Sequence, residues 1–188
     1  RILRWKYGRH KEQKPAVERN KNAYSSFTTF NVLIDRSVFS KIRFFEDLKQ
    51  YGYEDVLFGY QIKKAGYEIV HIDNSLIHEG LETNKEFILK TKHSIENLSL
   101  IYDNVTDRKT FSSTVKMLKL YNWIRFLRLC RILAGIFIRF RDRMEIKLDS
   151  SDISLRTFWF YKLSMFCTYR EIHRRKRTLA IFRFPFRF

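Results

Sequence analysis

Cysteine is scarce: Cys130 and Cys167 are the only two, and each stands alone. Neither a zinc-ligand spacing nor a disulfide framework can be built from them, so both are expected to be buried, idle thiols. Long apolar runs are missing as well. The longest uncharged apolar run in the C-terminal part, ILAGIFI at 132–138, falls far short of the ~20 residues a membrane-spanning helix needs. The start, RILRWKYGRHKEQKP, is polar and basic and has no secretory signal pattern. Acidic side chains thin out along the chain. Residues 111–188 hold 18 Lys/Arg against 5 Asp/Glu, whereas residues 1–110 hold 19 against 15.

What remains is enough for a folded protein. With 188 residues, 23.0 kDa and 45% hydrophobic side chains, the chain can bury one core and carry an appendage. The net charge of +17 belongs mainly to residues 111–188, which invites a division into a module at 1–110 and a basic, aromatic tail at 111–188. The expected location is cytoplasmic, peripheral on the inner face of a membrane.

Along the chain, residues 1–22 look like a polar loop or lid. FTTFNVLID at 27–35 is β-branched and aromatic and predicts a strand, with a short helix or turn after it capped by Ser37. Residues 54–64 predict a helix with carboxylates in its first turn, lysines in its last and Gly66 as its stop. Residues 67–72 predict a second strand, and 84–100 a helix with Phe87, Ile88, Ile95 and Leu98 near one face. The turn-rich stretch 102–114 contains the module boundary. Residues 115–145 predict a helix bent near Gly135.

The densest information lies in 52–81, GYEDVLFGYQIKKAGYEIVHIDNSLIHEGL. A helix from Glu54 to Ala65 travels roughly 18 Å at ~1.5 Å per residue, and a strand over 67–72 returns roughly 20 Å. If Gly66 reverses the chain, His78 lands beside Glu54 and Asp55. Two carboxylates facing an imidazole are the material of a base-assisted or metal-assisted site. The bland alternatives are a dipole-matched helix start and a surface histidine. His71, inside the expected strand, is assigned a structural role. Trp5, Tyr7 and Arg4 are candidates to line a groove.

The stretch YGYEDVLFGYQIKKAGYEIVHIDNSLIHEGLETNKEFILKT resembles the C-terminal half of the catalytic domain of bacterial family 2 glycosyltransferases. The likeness covers residues 22–101 and returns weakly at SLRTFWFYKLSMF. Ser75 and Gln61 depart from the residues common in such proteins. The resemblance implies an α/β fold, a partial GT-A mixed sheet with flanking helices, followed by the basic, mainly helical tail. It also implies an activity: inverting transfer of a sugar from a nucleotide-sugar donor to a glycan or lipid-linked acceptor. Asp55 is then the general base, Glu54 holds the acceptor or orients Asp55, and His78 joins a divalent Mg or Mn ion on the donor diphosphate. Nothing in residues 1–50 supplies an Asp-x-Asp motif; the one adjacent acidic pair there is Glu46–Asp47. Residues 1–188 alone are therefore expected to be inactive towards nucleotide sugars, as part of a longer enzyme or as an inert remnant.

The tail should be drawn to anionic surfaces, with anionic lipid expected ahead of nucleic acid because no nucleic-acid motif accompanies the charge. Lys116, Lys119, Arg125, Arg128 and Arg131 are spaced in multiples of three. On one continuous helix that stripe slips ~60° per step and gives no clean amphipathic face. The basic run at 174–177 and the final FRFPFRF are read only as an exposed, sticky end.

Overall fold

The computed structural model describes residues 1–45, 48 and 51–182, with side chains as far as 174. The Glu46–Asp47 pair, the side chains of 175–177 in the basic run and all but the first residue of FRFPFRF lie outside what is described. The molecule is 68% helical, and no strand occurs among the described residues, so the expected α/β sheet is replaced by an all-helical fold. Residues 1–22, expected as a loop, form α1 (Ile2–Tyr7), a π-helical turn (Gly8–Glu12) and α2 (Ala16–Asn20). A 3-10 turn (Ala23–Ser26) leads on to α3 (Arg36–Lys41) and α4 (Glu54–Lys64). The remaining helices are α5 (Asn84–Asn104), α6 (Arg108–Thr114), α7 (Lys116–Phe126), α8 (Cys130–Asp149) and α9 (Leu155–Phe182).

The two expected strands fail for a specific reason. Residues 67–72 keep the alternation that predicted a strand: Tyr67, Ile69 and His71 are half-buried, while Glu68, Val70 and Ile72 are exposed. Alternation fixes an extended backbone and one covered face, but a ladder needs a second strand at hydrogen-bonding distance. Here side chains take that place. Asn20 receives the His71 N–H at 2.8 Å and donates to the His71 carbonyl at 2.9 Å. Arg19 donates to the Ile72 carbonyl at 2.7 Å, and the Tyr24 hydroxyl to the Tyr67 carbonyl at 3.0 Å. Residues 27–35 likewise run without a strand partner, with Leu33 99% exposed.

Two caps explain where helices begin. Asp35, not Ser37, caps α3, accepting the Ser37 N–H at 2.7 Å. Thr83 and Glu86 form a reciprocal capping box at the start of α5: Thr83 Oγ1 accepts from the Glu86 N–H and Glu86 Oε2 from the Thr83 N–H. From that start α5 runs the full 21 residues through the centre of the molecule and packs on α1, α8 and α9.

The main core draws on both sides of the 110/111 division, from Leu3 through Leu57, Ile95, Leu98 and Phe111 to Leu118, Phe158, Tyr161 and Phe166. A bidentate ion pair at 2.7 and 2.9 Å, Arg170 to Asp103, ties α9 to the end of α5. α4 is buried on two faces. Leu57 and Tyr60 enter the main core, while Phe58 and Ile62 meet Phe27 and Ile42 in a smaller one. This double anchorage fixes the start of α4, where the acidic pair sits. The helical tail is interrupted at 127–129, not near Gly135, and α8 passes through Gly135 unbroken.

Candidate active site

The turn into α4 is held in a left-handed conformation. Gly52 has φ +115° and Tyr53 has φ +68°, the second being costly for an aromatic residue. Only glycine fits at 52, because a Cβ there would stand 2.2 Å from the Ser94 Cβ on α5. The close approach is fastened by the buried Asn97, whose Nδ2 donates to the Gly52 carbonyl at 3.1 Å. On the other side of the same residue, the Gly52 N–H donates to Glu54 Oε2 at 2.6 Å. Glu54 thus secures the turn that presents Asp55.

Asp55 accepts the Val56 N–H at 2.7 Å and is half-buried beside tyrosines. Burial pushes its carboxyl from the usual 3.8 up to about 6; the Val56 hydrogen bond opposes the shift, and the neighbouring Glu54 charge adds to it. The helix start alone predicts the opposite direction, since the dipole favours the ionised form. Desolvation wins. Asp55 in turn raises the phenols of Tyr7, Tyr51 and Tyr53, all pushed up chiefly by burial. Those hydroxyls stay protonated near neutrality, so the wall beside Asp55 offers donors and no second base.

Gly66, at φ +79°, does reverse the chain after α4, with its N–H on the Lys63 carbonyl and the Tyr67 N–H on the Ile62 carbonyl. The return path carries His78 to Arg4. Arg4 is buried at 4% exposure and gathers several groups at once. Its guanidinium donates to Glu12 at 2.9 Å, lies 3.4 Å from Glu82 and 5.5 Å over the Phe87 ring, and meets His78 Nδ1 at 3.3 Å. His78 is exposed and its ring lies 5.7 Å from that of Phe30. No hydrogen bond or ion pair joins His78 to Glu54 or Asp55 among the described residues. Both ends nevertheless border one patch, because Arg4 and Asp55 act on the same phenols, Tyr7 and Tyr51.

That geometry bears on a divalent metal. A guanidinium has no acceptor, so the Arg4 contact requires the lone pair of His78 on Nδ1 and the proton on Nε2. Both ring nitrogens are then committed while the Arg4 contact stands, and a cation placed here would also face the guanidinium. No group of three His, Cys, Asp or Glu side chains that could hold a metal occurs among the described residues. The residues present do not fit a metal at His78, and no step below is drawn through one.

Lys162, from α9, is a site residue that the sequence pattern does not single out. It is 6% exposed and makes no ion pair among the described residues. Its ammonium lies 5.2 Å from the centre of the Trp159 ring, 5.6 Å from those of Tyr7 and Phe158, and 5.9 Å from that of Tyr53. Burial lowers its pKa to about 8, with the Lys11 charge adding to the effect. The four rings supply cation–π attraction in place of a carboxylate. Tyr7 and Tyr53 therefore stand between a carboxylate that resists ionising and a lysine that resists protonation. The signal in the sequence was a single lysine in the aromatic run FWFYKLSMF.

No protein-family model, curated protein or solved structure matches the chain. The site is accordingly judged on its own chemistry: one half-buried carboxylate of raised basicity, a phenol-lined wall, and two buried cations, Arg4 and Lys162.

Proposed function

We propose that the chain is the acceptor side of a sugar transferase in which Asp55 is the general base. The acceptor hydroxyl hydrogen-bonds to Asp55, which takes the proton as the oxygen attacks the anomeric carbon. The new C–O bond forms as the bond to the nucleoside diphosphate breaks, and the diphosphate departs with the electron pair and inversion at carbon. The observation that carries this reading is the placement of Asp55, a half-buried carboxylate at the locked start of α4 beside Tyr7, Tyr51 and Tyr53, where burial raises its carboxyl to about 6. Such a group is mostly ionised at neutrality and is a stronger base than an ordinary carboxylate, close to the optimum for general base catalysis. The same shift answers a difficulty raised by the helix start, whose dipole would make the carboxylate too weak a base. Glu54 is a positioning residue, acting through the Gly52 N–H. Of the neighbouring phenols, Tyr51 is exposed and is the donor open to a hydroxylated acceptor, while Tyr7 and Tyr53 pack on the core behind it. The donor class, a nucleotide sugar, and the acceptor class, a glycan or lipid-linked glycan, rest on the resemblance of residues 22–101.

The test is sugar transfer by the protein as its host produces it, compared with Asp55→Asn. The expected result is a fall in kcat on the order of 10²–10⁴-fold with little change in acceptor KM. The wild-type rate should also fall off below about pH 6, with an acid limb that Asp55→Asn abolishes. A variant that keeps the wild-type rate and the same acid limb would remove Asp55 from the role.

A further inference from the structure

The α7–α8 corner carries a surface that the proposed chemistry does not use. α7 buries Leu118, Tyr121 and Ile124 against the core. Its opposite face should be polar in a surface helix, yet it presents Leu120 and Trp123, with Leu127 following four residues on at the start of the turn. The exposure continues around the turn. Trp123 is 60% and Phe126 82% exposed, with Leu127, Leu129 and Ile132 also open to solvent. Interleaved with them, Lys119, Arg125, Arg128 and Arg131 are exposed, and no acidic residue occurs anywhere in residues 108–141.

The break at 127–129 creates this surface. Arg128 takes φ +60°, and the Leu129 N–H turns back to the Ile124 carbonyl at 3.1 Å. On one continuous helix the basic stripe would wind away from the apolar side chains. The break instead gathers both at a corner. Of these cations Arg131 has an intramolecular partner, Glu171 at 3.5 Å, and even so stays exposed.

We propose that this corner docks on an anionic lipid bilayer, with Trp123, Phe126 and Leu127 entering the headgroup–acyl boundary and Lys119 and Arg128 meeting the lipid phosphates. Charge complementarity selects the partner's sign, since more than thirty consecutive residues offer cations alone. The apolar component selects its kind. Exposed leucine and isoleucine gain from an acyl boundary and have nothing to pack on along a phosphodiester backbone. No described helix is long and apolar enough to cross a membrane, so the mode is attachment to the surface. The proposal is independent of the base assigned above.

Sedimentation with sucrose-loaded vesicles tests it, using phosphatidylcholine alone and phosphatidylcholine doped with phosphatidylglycerol, with duplex DNA as competitor. The wild-type protein should pellet with the doped vesicles only. Lys119→Glu/Arg128→Glu should weaken that binding by at least about tenfold, as expected for losing two cations near a charged membrane. Trp123→Ser/Phe126→Ser should weaken it comparably, and both variants alter exposed side chains and should keep the wild-type circular dichroism and melting curve. Brominated acyl chains should quench wild-type tryptophan fluorescence but leave Trp123→Phe nearly unquenched. Equal binding to neutral vesicles, full displacement by DNA, or binding untouched by both pairs of substitutions would overturn the proposal.

Discussion

At the scale of single residues, Asp55 works against the stability of the fold that holds it. Its pKa lies near 6 in the folded protein and at 3.8 when unperturbed, so the folded state binds the proton more tightly across that interval. Stability is therefore lost as pH rises from about 4 through 6, and the deficit persists at neutrality. Asp55→Asn, which can keep the Val56 hydrogen bond, should raise unfolding stability at pH 7 by about 1–2 kcal/mol after allowance for solvent screening. Below about pH 3.5, where both side chains are neutral, the difference should vanish. Urea denaturation at the two pH values measures it; an asparagine variant less stable than wild type at pH 7 would contradict the burial argument. The sequence pointed to Asp55 through its place in the acidic pair. It could not give the direction of the pKa shift, because the helix dipole is a local effect and the burial that defeats it comes from residues distant in sequence. Lys162 was invisible for the same reason: its cage joins Tyr7 and Tyr53 to α9 across more than a hundred residues.

At the scale of elements, helices with strong local signals were legible. α4 occupies the predicted span because its carboxylates, lysines and Gly66 all agree, and α5 was found from its apolar periodicity and extends to Asn104. The predicted strands failed because extended character is a property of a segment, whereas a sheet is a property of pairs. Residues 67–72 satisfy their backbone groups through Asn20, Arg19 and Tyr24, an arrangement with no local signature. The N-terminal helices were missed because 1–22 is short of apolar periodicity and gains its helix by docking Leu3 against α5. The connection that matters most for the site is the turn before α4. Gly52→Ala adds a Cβ at 2.2 Å from Ser94 and places a side chain at φ +115°. The loss should be at least about 2–3 kcal/mol by denaturant melt, a sum of overpacking and backbone strain. A loss below about 1 kcal/mol would mean that the turn can relax away from α5.

At the scale of the whole molecule, the site depends on four elements meeting. α1 and the following π-helical turn bring Arg4, Tyr7 and Glu12; the start of α4 brings Glu54 and Asp55. α5 locks Gly52, and α9 closes the aromatic wall with Lys162. That convergence, more than the acidic pair itself, gives Asp55 its basicity. The basic, apolar corner at α7–α8 is built from other residues than the candidate site, so the proposed attachment and the proposed chemistry are separable. The most direct test of the account is a carbon-13 NMR titration of the Asp55 carboxyl in the intact protein, assigned by its absence in Asp55→Asn. A midpoint near 6 is the predicted result. A midpoint at or below 3.8 would show a solvated, dipole-stabilised carboxylate at an ordinary helix start, and the general base assignment would fall with it.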